Sequence, residues 1–179
     1  GQLKIGIRLK PLAAEYYLDT YLKAGNEVIN RFAEFAKPLS GELAADLKSF
    51  AARASDDMNQ VLKTRTLDER KLKLFGLLEE TSGAIPVETL AQQCYWSTRQ
   101  INRYFNKQFG ISLKGYCNIL RCYASYGKIK AGHLYPDFDY YDQSHFIREI
   151  KKHTGTTPKA LLKNEYQRYL QFNDRNSLR

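Results

Sequence analysis

The stretch "STRQINRYFNKQFGISLKG", residues 97–115, returns downstream as "DQSHFIREIKKHTGTTPKA", residues 142–160. Laid over one another without a gap, the copies pair Arg103 with Arg148, Lys107 with Lys152, Gly110 with Gly155 and Lys114 with Lys159. Ile101 meets Phe146, Phe105 meets Ile150 and Ser112 meets Thr157. Each copy opens on a residue whose side chain caps a helix start, Ser97 or Asp142, and Ser97 with Gln100 forms a capping-box pattern. Each helix ends at a glycine suited to the left-handed position after the last turn. Ser112 and Thr157 then open a further helix, the second with Pro158 at its first position.

Working outward, "VETLAQQ" (87–93) reads as a short helix behind Pro86, and "CYW" (94–96) as a turn of three. Residues 86–110 therefore form a helix-turn-helix. Leu90 and Ala91 face its second helix, Ala91 being small enough for close approach. Ile101, Phe105 and Phe109 recur every four residues and face the core, which puts Arg99, Asn102, Arg103 and Asn106 on the opposite face. A long helix follows over 112–130. "AGHLYPDFDYY" (131–141) is irregular around Pro136. The second unit spans about 133–155, with Phe146 and Ile150 inward and Ser144, Ile147, Arg148 and Lys151 outward. Gln143 and His145 lie near its helix start, and a last helix covers about 158–172. Upstream, "LKIGIRL" (3–9) alternates as a strand ended by Pro11, with no sheet partner in the chain. Residues 13–62 are helical in pattern, broken near Gly25, Pro38 and Gly41, and 67–81 form an amphipathic helix before the turn "SGAIP" (82–86). The expected fold is mainly α: tandem helix-turn-helix units joined by a long linker helix, preceded by a helical segment with one orphan strand.

The charge follows the repeat. Residues 1–96 hold 13 Lys and Arg against 13 Asp and Glu, whereas residues 97–179 hold 15 against 6, so the whole net charge of +9 lies in the repeated half. A one-sided basic excess points to a polyanionic partner. A solubilising surface would not need such concentration. Arg suits guanine edges and Asn suits adenine edges in the major groove. The helix starts at Ser112 and Thr157, with Lys114 and Lys159 beside them, suit backbone phosphates. Asn106, Lys107, Lys151 and Lys152 are further backbone candidates. A lone polar helix face is usually only solvated; two in tandem within the basic half favour DNA.

Other chemistry finds little support. No stretch approaches the ~20 apolar residues of a membrane span, and no signal peptide is evident. Cys94, Cys117 and Cys122 form no CxxC pair and read as reduced, buried thiols. His145 has no metal-motif spacing to His133 or His153. No nucleophile–base pair and no phosphate loop occur, so no enzyme activity, cofactor or metal is expected. The chain starts abruptly at Gly1 rather than Met, as if cut from a longer protein.

"LAQQ…S..QINRYFNKQFG" and "YYDQSHFIREIKKHTGTTPKALL" together resemble the DNA-binding domain of the AraC/XylS family of bacterial transcription regulators, over roughly residues 70–170. The resemblance implies two helix-turn-helix units on one long helix, both presenting a recognition helix to the major groove. It implies base-reading roles for Arg99, Asn102 and Arg103 in the first unit, and for Gln143, Ser144, His145 and Arg148 in the second. It implies a cytoplasmic, nucleoid-associated regulator that binds double-stranded DNA, with RNA polymerase as a further partner. Residues 1–65 would end a regulatory domain and linker whose small-molecule effector binds mostly in a preceding region, and 66–173 would be the DNA-binding domain. Two positions depart from the family. Tyr95 stands where glycine is common, so the first turn is expected to differ, because tyrosine tolerates the left-handed conformation poorly. "HLYPDFDYYD" replaces the usual support segment, so the second unit is expected to lack a full first helix. Two other readings remain open: a methyl-accepting DNA repair protein working through a cysteine, and a helical protein-interaction module indifferent to nucleic acid.

Overall fold

Pro11 opens a helix. Its fixed φ and missing N–H suit the first helical turn, and helix α1 runs from there over Pro11–Lys23. The computed structural model describes residues 9–23, 43–134, 140 and 142–163. Among them it forms eight helices and no strand: α1, α2 (Leu43–Lys63), α3 (Glu69–Glu80), α4 (Val87–Gln93), α5 (Thr98–Phe109), α6 (Leu113–Lys130), α7 (Gln143–Thr154) and α8 (Pro158–Leu162). The fold is mainly α. The strand expected over 3–9 lies outside the described residues except for Leu9, which has no regular structure. The breaks at Gly25, Pro38 and Gly41, the segment around Pro136 and the end of the last helix also fall outside them. The chain divides into two compact units, Gly1–Leu72 and Lys73–Arg179.

In the first unit α1 packs on α2. Phe50, Ala54 and Asp57 are buried at i, i+4 and i+7 of α2, one stripe of a 3.6-period helix. Burying a carboxylate requires a partner, and the buried Tyr17 hydroxyl donates to Asp57 Oδ2 at 2.6 Å. The start of α3 is tied to α1 as well. The Asp68 N–H donates to the Tyr16 hydroxyl at 2.9 Å, and Lys71 pairs with Glu15. Asp68 accepts from the Arg70 N–H at 3.0 Å, and the Arg70 guanidinium bonded to it holds its carboxyl below the usual range.

In the second unit α6 serves two cores. Leu113, Cys117 and Leu120 are buried on one side of it, Cys122 and Ile129 on the other. At 100° per residue the two sets lie about half a turn apart. The first side carries Tyr116, whose ring is 6.0 Å from Phe75 and 5.2 Å from Phe105. Phe75 of α3 also meets Tyr104 and Phe109 of α5, at 6.4 and 5.9 Å, so four rings of α5 and α6 surround it. The second side joins Phe146 and Ile150 of α7 and Leu161 of α8 in one buried cluster, flanked by Tyr126, Leu134 and Tyr140.

The turn after α3 is locked against α6. The Gly83 N–H reaches back to the Leu78 carbonyl at 2.8 Å and the Ser82 N–H to the Glu79 carbonyl at 3.2 Å, the bond pair of a Schellman cap. Gly83 has φ +77, and a Cβ there would stand 2.7 Å from the Cys117 carbonyl oxygen and 2.9 Å from Cys117 Cα. Both atoms are backbone in mid-helix and cannot yield. Gly83→Ala therefore costs about 2–4 kcal/mol, combining left-handed strain with overpacking. Gly76→Ala, whose Cβ meets nothing within 4 Å in the middle of α3, adds about 0.5–1 kcal/mol. Urea midpoints of the two variants against the parent chain check both signs.

Candidate nucleic-acid interface

Helix α5 is set by the turn before it. The Trp96 N–H bonds the Ala91 carbonyl at 3.0 Å and the Tyr95 N–H the Gln92 carbonyl at 3.3 Å. This is again a Schellman cap, closing α4 with Tyr95 at φ +53. The expectation that tyrosine would alter this turn is corrected: the backbone takes the left-handed conformation despite the side chain. Two backbone hydrogen bonds satisfy carbonyls that would otherwise end α4 unpaired, and the ring, 84% exposed, meets no crowding. Lys73 Nζ sits 5.6 Å from its centroid.

Helix α5 begins as its sequence dictates. Ser97 Oγ accepts from the Gln100 N–H at 3.2 Å, and Gln100 Oε1 accepts from the Ser97 N–H at 2.8 Å. It ends at Gly110, φ +68, whose N–H bonds the Asn106 carbonyl at 3.1 Å. Leu90, Ala91, Ile101 and Phe105 are buried where α4 meets α5, and Trp96 packs on Tyr104 at 5.4 Å between centroids. On the outer face Arg99, Arg103, Asn106 and Lys107 are exposed. Asn102 stands apart from them. It is half-buried, and its Nδ2 donates to the Thr98 carbonyl at 3.0 Å, one turn back on its own helix.

Helix α7 repeats the construction. Asp142 Oδ1 accepts from the His145 N–H at 2.7 Å, and Gly155, φ +75, ends the helix with its N–H on the Lys151 carbonyl at 2.8 Å. Both α5 and α7 have 12 residues. Gln143, Ser144, Ile147, Arg148, Lys151 and Lys152 are exposed. His145 is not on that face: it is half-buried, with its ring 5.6 Å from Tyr140 and its Nδ1 shielded from solvent.

A polar chain that sequence reading missed holds α7 to α6. Arg121 Nη2 donates to Asn118 Oδ1 at 3.0 Å, and Asn118 Nδ2 donates to Glu149 Oε2 at 3.0 Å. His153 Nε2 lies 3.6 Å from the same carboxylate oxygen. Asn118 and Glu149 are 31 residues apart, and no local pattern announces the pairing. At the following helix starts, Ser112 Oγ accepts from the Gly115 N–H at 3.0 Å and Thr157 Oγ1 from the Ala160 N–H at 3.3 Å. Each hydroxyl proton stays available to an outside acceptor. Lys114 and Lys159 are exposed beside them.

The three cysteines are free and buried, as expected. Burial pushes all three thiols up from their ordinary pKa, which leaves little thiolate at neutral pH. Among the described residues no group of three or more His, Cys, Asp or Glu could hold a metal ion, and no helix is long and apolar enough to cross a membrane. Comparison with family models, with curated proteins and with solved structures finds no match to the chain.

The left-handed Tyr95 yields a stability test. Tyr95→Gly removes a penalty of about 1–2 kcal/mol, partly offset by unfolded-chain entropy and by loss of the Lys73 contact, for a net gain of about 0.5 kcal/mol. Tyr95→Val, β-branched, lowers stability by about 1–2 kcal/mol. Chemical denaturation followed through the circular dichroism of the helices reads both.

Proposed function

We propose that the chain is a sequence-specific DNA-binding transcription regulator of the AraC/XylS type, with α5 and α7 as recognition helices for consecutive major-groove segments. The observation that supports this most is the equivalence of those helices. They have equal length, matched polar N-caps and glycine C-caps, and each exposes an arginine at the same repeat position, Arg103 or Arg148, with a lysine one turn on, Lys107 or Lys152. Both lie in the half that holds the entire positive surplus. The shielded thiols argue against methyl acceptance at a cysteine. A plain interaction module has no use for paired basic faces.

In this reading Arg99 and Arg103 make bidentate contacts to guanine, while Asn106 and Lys107 reach phosphates. Asn102 reads adenine only by releasing the Thr98 carbonyl, which costs it part of the gain. On α7, Gln143, Ser144 and Arg148 face the groove, Lys151 and Lys152 the backbone, and exposed Ile147 offers an apolar contact to a thymine methyl. His145 acts from behind, through its packing on Tyr140. Phosphates meet Ser112 with Lys114, and Thr157 with Lys159. RNA polymerase and an effector held by a preceding region complete the proposal.

Enrichment of bound fragments from random duplex DNA tests the function directly, and a defined consensus is the expected result. Affinity should fall steeply with salt, with a log–log slope of roughly −4 to −8 at about −0.9 per neutralised phosphate. A flat response would remove the electrostatic half of the argument.

The two helices should not contribute equally. The first has the complete support helix α4, and the second carries apolar Ile147 at the repeat position of Asn102. The first helix therefore supplies most of the discrimination, and the second mostly anchors. Arg103→Ala should cost about 1–3 kcal/mol on the preferred site and relax base choice there. Arg148→Ala should weaken preferred and scrambled DNA by similar factors. Measuring both variants on both duplexes at fixed salt decides it; loss of discrimination in Arg148→Ala would reverse the ranking.

A further inference from the structure

The repeat puts Tyr104 of α5 and Glu149 of α7 at the same position, each one residue after its arginine, Arg103 or Arg148. One residue is about 100° of turn. Whatever holds this position therefore sets how far the helix is rolled about its axis, and with that the direction of the arginine. Tyr104 is held by packing, its ring 5.4 Å from Trp96 and 6.4 Å from Phe75 between centroids. Glu149 is held by a bond: its Oε2 accepts from Asn118 Nδ2 of α6 at 3.0 Å.

Stability alone does not account for that choice. The Glu149 side chain is only 13% exposed, and for a carboxylate so far from water the desolvation penalty offsets much of the attraction to its partners. What a hydrogen bond adds is direction. The apolar contacts of Phe146 and Ile150, the buried residues of α7, have no preferred direction; the bond to Asn118 does. Its donor is aimed in turn. Arg121 Nη2 donates to Asn118 Oδ1 at 3.0 Å, which turns the amide so that Nδ2 faces Glu149. His153 Nε2, 3.6 Å from the same carboxylate oxygen, stands outside hydrogen-bond distance.

We propose that Asn118 and Glu149 are positioning residues for DNA binding: neither touches the duplex, and the bond between them sets the roll of α7 and so aims Arg148 at the groove. At the equivalent position of α5 the ring contacts of Tyr104 take this role. The proposal rests on the DNA reading above and adds to it a pair that makes no DNA contact of its own. Asn118 lies on the long helix between the two repeats, so the aim of the second arginine is set from outside its own helix.

The test exchanges donor and acceptor in the full chain. Asn118→Asp sets two carboxylates against each other. Adding Glu149→Gln restores the bond, with the donor now on α7 and the acceptor on α6. Any helix-propensity cost of the aspartate is common to both variants, so recovery cannot come from it. Without DNA, amide hydrogen exchange of α7 should quicken about fivefold or more in Asn118→Asp and return to within about twofold of the parent in the double variant. On a duplex enriched from a random pool by the parent chain, affinity should fall about fivefold or more and then recover in the same order. The loss should persist in full in an Arg103→Ala background and shrink in an Arg148→Ala background, where the side chain being aimed is gone. If exchange does not recover in the double variant, the proposal is overturned whatever the DNA result. Equal losses in the two arginine backgrounds also overturn it, leaving a structural tie alone. If exchange recovers but the parent chain binds no duplex, the DNA reading falls, and the aiming role of the pair falls with it.

Discussion

The second unit depends on one helix being buried from two sides. Leu120 and Cys122 are two residues apart in the chain, yet they point into different cores. An amphipathic helix normally keeps one apolar stripe. Here the stripe changes sides midway along α6, so its first half belongs with α3 and α5 and its second half with α7 and α8. Small side chains make this workable: Cys117 and Cys122 are buried at the contacts without demanding the space of a leucine.

Each core is then closed by a different means. The first is aromatic. Phe75 is ringed by Tyr104, Phe105, Phe109 and Tyr116 at centroid distances of 5.8–6.4 Å, the range in which edge and tilted ring pairs attract. The second is a smaller apolar cluster beside a polar chain, with Glu149 tying α7 to Asn118 of α6. Half-buried, this carboxylate has an amide donor and a nearby imidazole, which offset the cost of removing it from water. Shape fixes α5 and directional bonds help fix α7.

What the sequence disclosed was what is decided locally. The caps at Ser97, Ser112, Asp142 and Thr157 and the glycines at 110 and 155 each act within one turn, and all six stand where the repeat put them. The inward faces followed from the 3.6 period, because Ile101, Phe105, Phe146 and Ile150 are spaced by four. The failures came where two preferences compete or where distant residues meet. At Tyr95, intrinsic dislike of positive φ lost to two backbone hydrogen bonds. Asn102 was assigned outward by phase, but its short amide found the Thr98 carbonyl, one of the local side-chain-to-backbone bonds open to Asn. The proximity of Gly83 to Cys117 and the Tyr17–Asp57 pair join segments far apart in the chain. Nothing periodic marks them.

Because α6 carries both cores on opposite sides, its length acts as a phase angle. Each residue advances the helix by about 100° and 1.5 Å. A single insertion between Leu120 and Cys122 would swing everything after it by more than a quarter turn about the axis while shifting it hardly at all. An insertion of four would almost restore the angle and translate the second helix pair by about 6 Å. The number of residues in α6 is thus held as firmly as the identity of its buried side chains, and the separation of the two repeats depends on the length of one helix.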